Sequence, residues 1–71
     1  MLKEINASHH QKKKLIKAIH DTSVMFVEDN GDIVINAKAY PDFVANTEHD
    51  PLKTIMGIDA LEDDLEYLVI Q

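Results

Sequence analysis

From Ser23 to Lys38 the chain reads SVMFVEDNGDIVINAK, with β-branched and aromatic residues on both sides of Asn30-Gly31. Such a run predicts a β-hairpin, because branched and aromatic side chains suit a pleated, half-buried surface. A two-residue Asn-Gly loop is a type I′ turn, in which both central residues take positive φ. Val27 then faces Val34, Phe26 faces Ile35 and Met25 faces Asn36. Alternation places Val24, Phe26, Ile33, Ile35 and Ala37 on the core face. Met25, Val27 and Val34 fall on the other face. It is greasier than a solvated face, which makes it a candidate dimer or partner surface unless a later segment covers it.

Upstream the period changes to that of a helix. Lys12, Leu15, Ile16 and Ile19 recur along one stripe, and Ser8 with Gln11 forms a capping-box pattern. Leu2 and Ile5 predict a short lead-in or an added strand. Downstream, Pro41 halts the second hairpin strand. Residues 41–47 can make one helical turn with Phe43 and Val44 inward. Asp50-Pro51 reads as N-cap and first residue of a helix, with Leu52, Ile55 and Met56 on its buried side and Gly57 as its stop. Asp59 and Glu62 repeat the cap pattern and predict a helix over 60–66. Tyr67 to Ile70 then reads as a short strand extending the sheet, with a helix continuing to about 69 as the alternative.

The expected architecture is α+β. An N-terminal amphipathic helix, an antiparallel β-hairpin with a third, C-terminal strand, and one or two short C-terminal helices pack on one sheet face. Seventy-one residues make a single small domain, 1–71. A core of that size leaves little net stability, so a partner or a second copy is a natural supplement.

Charge alters this picture more than composition does. The net charge is −6, but residues 1–21 set Lys3, Lys12, Lys13, Lys14 and Lys17 against only Glu4 and Asp21. Residues 22–71 set Lys38 and Lys53 against eleven acids. The chain is therefore polarised, basic first and acidic afterwards. His10, Lys13, Lys14 and Lys17 line the outward stripe of the first helix and are the candidate contacts for nucleic acid or a partner. The chain has no arginine, the usual reader of guanine, and its overall charge opposes nucleic acid. Asp59, Glu62, Asp63, Asp64 and Glu66, with Tyr67 as an apolar anchor, form the candidate patch for a basic partner. Such a patch can mimic the phosphate charge of DNA.

Motifs of catalysis and ligation are missing. The two glycines, Gly31 and Gly57, cannot make a phosphate loop. The DNGD string fails as a calcium loop, because its first and twelfth ligands would be Phe26 and Ala37. His9 and His10 point about 100° apart on a helix and cannot readily share a metal. There is no cysteine, no apolar run of membrane-spanning length and no signal-peptide core. The expectation is a cytoplasmic, non-enzymatic protein without metal or cofactor.

Three functional expectations follow. The leading one is a small acidic protein-binding module of the phage or mobile-element kind, inhibiting a larger, nucleic-acid-handling protein by occupying its basic surface. The second comes from the order of elements over Ser8 to Phe43. Helix, hairpin and then acidic helices resemble, in pattern only, small antitoxins of the prevent-host-death type. That resemblance implies a basic DNA-binding and dimerising part followed by an acidic toxin-binding part. The third is an assembly subunit that completes its fold in an oligomer.

Overall fold

The computed structural model describes residues 1–59 and 64–71. Four strands form one sheet: β1 (Leu2–Ile5), β2 (Met25–Val27), β3 (Ile33–Asn36) and β4 (Tyr67–Ile70). Their spatial order is β1-β4-β3-β2, with β1 parallel to β4 and the other neighbours antiparallel. The helices are α1 (His9–Ala18), α2 (Tyr40–Thr47) and a π-helical turn, Leu52–Met56. The protein is thus α+β, but a strand rather than a helix comes first. Leu2 and Ile5 belong to that added strand. The C-terminal segment is an inner strand of the sheet, between β1 and β3, not an extension at its rim. Tyr67 to Ile70 is extended, so the alternative of a helix running to 69 is overturned.

The expected helix over 60–66 falls largely on residues 60–63, outside the described residues. Asp64 to Glu66 are not helical, and Leu65 is buried in the core.

α1 starts where the capping box places it. The Gln11 N–H donates to Ser8 Oγ at 3.1 Å, and the Ser8 N–H donates to Gln11 Oε1 at 3.0 Å. Leu15 and Ile19 are fully buried against the sheet, whereas Ile16 is exposed. The Lys12 stem runs along the core and its ammonium donates to the Gly31 carbonyl at 3.2 Å, tying α1 to the hairpin turn.

That turn differs from the type I′ expectation. Met25 pairs with Ile35, Phe26 with Val34 and Val27 with Ile33, one residue away from the predicted register. The loop holds three residues, Asp29, Asn30 and Gly31. The Gly31 N–H donates to the Glu28 carbonyl at 2.9 Å and the Glu28 N–H to the Asp32 carbonyl at 2.8 Å. Gly31 sits at φ +91°, while Asn30 stays at negative φ. This is the three-residue hairpin built from a type I turn and a left-handed glycine. The Asn30 side chain holds it by accepting the Asp32 N–H at 3.0 Å.

A slip of one residue exchanges the faces of a strand. Met25, Ile33 and Ile35 therefore face the core with Leu68 and Ile70, and all five are at most 6% exposed. Phe26, assigned to the core from the sequence, points to the other side and is 46% exposed. The candidate dimer face of Met25, Val27 and Val34 is accordingly not one surface. Met25 is core, Val34 lies on the outer face, and Val27 is exposed at the β2 edge.

α2 and the π turn close the core on the helical side. Tyr40 and Leu52 are buried, and Phe43, Val44, Ile55 and Met56 pack partly against them. Phe43 and Val44 thus point inward as expected, on a helix one residue longer at its start than the predicted turn. Gly57 ends the π turn in the left-handed conformation, as its position predicts.

Candidate functional site

Strand pairing fixes which residues share the outer face of the sheet. In register across β2, β3, β4 and β1 lie Phe26, Val34, Val69 and Glu4. One row away are Asn36, Tyr67 and Leu2. On the other flank, alternation brings Glu28, Asp32, Gln71 and Asn6 to the same side, and Gln71 donates to the Glu4 carboxylate. Leu2, Phe26 and Tyr67 are all more than 40% exposed. Val34 is shielded from water yet stands outside the core cluster. No described element crosses this face. It carries three carboxylates, Glu4, Glu28 and Asp32, with Lys38 at the end where Asn36 and Tyr67 stand.

α1 packs on the opposite side of the sheet and presents the reverse charge. His10, Lys13, Lys14 and Lys17 are all exposed along its outward stripe, with Ile16 among them. Among the described residues, none of the three lysines has an ion pair. The polarity read along the sequence becomes a polarity across the molecule, with a basic helix on one side and an acidic, apolar sheet face on the other.

The acidic patch assigned from the sequence is only partly drawn together. Glu62 and Asp63 lie outside the described residues. Asp59, Asp64 and Glu66 are exposed. Glu66 and Tyr67 share a shallow depression with Asn36 and Lys38, and the Glu66 N–H donates to the Met1 carbonyl at 2.8 Å. Tyr67, placed in the patch as its anchor, stands on the outer sheet face. Phe26, Leu2 and Val69, its neighbours there, are missed by sequence reasoning. Finding them requires the hairpin register and the central place of β4.

A second surface feature is a depression of about 370 Å³ between the end of α1, α2 and the π turn, lined by Ala18, Phe43, Thr47, Pro51 and Ile55, with His49 its single titratable group. Its two hydroxyls, of Thr47 and Thr54, are engaged by the backbone, donating to the Phe43 and Asp50 carbonyls at 2.8 Å each. Beside it, the Ser23 hydroxyl donates to Asp21 Oδ1 at 2.6 Å and the Ser23 N–H donates to the same atom at 2.9 Å. These two bonds, hydroxyl first, hold the Asp21 carboxyl below the usual carboxylate range. The arrangement is a local turn leading into β2, since the same residue's carbonyl accepts from Val24 and Met25. Among the described residues, no three His, Asp or Glu side chains gather as metal ligands.

No protein-family model, no characterised protein and no solved structure matches the chain. Among the described residues, no helix is long and apolar enough to cross a membrane.

One buried polar group organises the helical side. The Tyr40 hydroxyl donates to Asp50 Oδ1 at 2.5 Å and accepts the Leu52 N–H at 3.0 Å. The Lys53 N–H donates to the same carboxylate oxygen at 3.3 Å. The first N–H groups of a helical turn have no acceptor within the turn. Asp50 caps one of them, as its position before Pro51 predicts, and Tyr40 takes another. Burial, and secondarily the Asp50 carboxylate, raise the tyrosine's pKa well beyond its ordinary range. Tyr40 therefore stays a neutral hydroxyl with a structural duty.

Proposed function

We propose that this chain is a small acidic, non-enzymatic protein-binding module that acts by occupying a basic surface of a larger protein. The observation that carries the reading is the outer sheet face, where exposed Leu2, Phe26 and Tyr67 stand among Glu4, Glu28 and Asp32, three carboxylates against the single lysine Lys38 at one end. An apolar centre with a charged rim is how stable protein interfaces are built. The carboxylates steer a positive partner into place, and the aromatic anchors slow its departure. Asp59, Asp64 and Glu66 extend the negative field beyond that face. Inhibition is the simplest consequence, because a basic groove covered in this way no longer reaches its own anionic substrate.

Affinity capture tests this. Tagged protein is incubated with nuclease-treated lysate of its own host and washed at rising salt. The expected result is one basic protein that is lost by about 0.5 M salt, where exposed charges are screened within a few Å. A protein carrying Asp59→Lys, Asp64→Lys and Glu66→Lys together with Glu4→Lys, Glu28→Lys and Asp32→Lys should capture none of it. Capture unaffected by salt and by these reversals would overturn the reading.

The antitoxin-like alternative has one observation in its favour. Lys13, Lys14 and Lys17 of α1 are exposed on a single stripe and unengaged by carboxylates among the described residues. It requires DNA to be shifted at low salt by a dimer, and Lys13→Glu with Lys17→Glu to abolish the shift. Its dimer seam cannot be the one expected from the sequence, since Met25 is core.

A further inference from the structure

We propose that the outer sheet face is the docking site for one basic amphipathic α-helix of the partner. This rests on the protein-binding reading above and names the shape and chemistry of what is bound. The apolar residues run across the strands rather than along them. Phe26, Val34 and Val69 lie side by side on β2, β3 and β4, and Tyr67 and Leu2 carry the stripe on to β1. Strands sit about 4.8 Å apart, so the stripe is about 14 Å long. A helix rises 1.5 Å per residue, so about ten residues span it, presenting apolar side chains at i, i+3 or i+4, and i+7. Glu28 and Asp32 line one flank of the stripe and Glu4 stands at its β1 end. Lysine or arginine beside the apolar stripe of the incoming helix would meet them.

The other occupants fit less well. Two copies packed outer face to outer face would set three carboxylates of each against three of the other, with one lysine apiece, Lys38, to offset them. Pairing of two β1 edges fares no better. The two antiparallel registers that keep outer faces aligned and pair most of the strand set Lys3 against Lys3 or Glu4 against Glu4. A second copy's α1 has the right charge, but its apolar residues Leu15 and Ile19 are spent in its own core. Only Ile16 remains to enter the stripe.

The test uses the intact protein and two synthetic helical peptides of about 14 residues. Both carry leucine at i, i+3, i+4 and i+7; one has lysine on the flanks and the other glutamate. Amide and methyl chemical shifts report where each binds. The lysine peptide should move the signals of Leu2, Phe26, Val34, Tyr67 and Val69, and leave those of α1 in place. The glutamate peptide should bind at least tenfold more weakly. Glu4→Lys, Glu28→Lys and Asp32→Lys combined should reverse that preference. Glu4 and Glu28 are exposed and Asp32 is half-buried; none belongs to the core cluster, and an unchanged melting temperature confirms that the fold survives the reversals.

Lysine peptide at millimolar concentration without movement of the five signals overturns the proposal. So does equal binding of the two peptides. Concentration-dependent sedimentation abolished by Phe26→Ser would overturn it too, by giving the face to a second copy. Should the captured partner still be held by the protein with only the three sheet-face reversals, the functional reading survives and the helix-docking inference fails.

Discussion

Removal of a single oxygen, by Tyr40→Phe, tests the account of the helical side. The ring remains, so packing against Phe43, 5.9 Å away between ring centroids, is preserved. Two hydrogen bonds disappear. The Leu52 N–H is buried and in the first turn, where no backbone acceptor exists, so leaving it unpaired costs about 1–3 kcal/mol. The lost bond to the Asp50 carboxylate is of the charged kind, but Asp50 is only partly buried and water replaces some of it. Together the loss is about 2–3 kcal/mol, against a total stability of about 4–10 kcal/mol for a chain of this length. That corresponds to a fall in melting temperature of about 10–20 °C.

The effect also has a pH signature. The folded state raises the tyrosine pKa above its unfolded value of 10.0. Its contribution is therefore complete below about pH 10 and is lost as pH rises towards the folded value. At pH 11 the native protein should have lost up to about 1.4 kcal/mol through this group, a loss Tyr40→Phe cannot suffer. Urea denaturation of both proteins at pH 8 and pH 11 should show the gap between them narrowing. A gap below about 0.5 kcal/mol at pH 8, or one that widens at pH 11, would refute the hydrogen-bond account.

Three further outcomes are expected from thermal or urea denaturation. Gly31→Ala should cost about 1–2 kcal/mol; a Cβ there meets nothing within 4 Å, so the whole cost is the positive φ, and Gly31→Asn should recover part of it. Ser8→Ala should cost about 1 kcal/mol through the lost cap, and no change would mean that tertiary contacts alone set the start of α1. Leu68→Ala, wholly buried in the core, should cost about 2–5 kcal/mol, whereas Phe26→Ser should cost under about 1 kcal/mol. Equal effects would return Phe26 to the core and restore the two-residue turn.

The difference between expected and observed structure lies mostly in one residue of register. Asn30-Gly31 was correctly legible as a turn, and so were the capping box at Ser8, the Asp50 cap and the Gly57 stop, because each is a local arrangement within four residues. The choice between a two- and a three-residue loop was not. It depends on whether Asn30 adopts positive φ, and in this chain it instead holds the Asp32 N–H. That choice decides whether Met25 or Phe26 enters the core, and neither hydrophobicity nor β propensity separates a methionine from a phenylalanine there. The place of β4 was illegible for another reason. Its parallel partner β1 is more than sixty residues away, and no periodicity records a pairing at that distance. The acidic, apolar outer face could not be read until both were known. The charge asymmetry beneath it is visible in the order of charges along the chain alone.

The interior position of β4 has a consequence for the order in which the chain can fold during synthesis. β1 is made first and has no neighbour in the sheet until Tyr67–Ile70 has emerged, since β4 alone stands between it and β3. Of the sheet contacts, only the β2–β3 hairpin is close enough in sequence to form earlier, with α1 and the Lys12 link to its turn as support. Until residue 70 has left the ribosome, the hydrogen-bonding edge of Ile33–Asn36 and the whole of Leu2–Ile5 are without partners. Closure is then a single late event in which one four-residue strand satisfies two edges at once. A nascent chain that has exposed nothing beyond residue 66 is a sticky hairpin beside a loose helix, and one with residue 70 free holds everything the sheet requires.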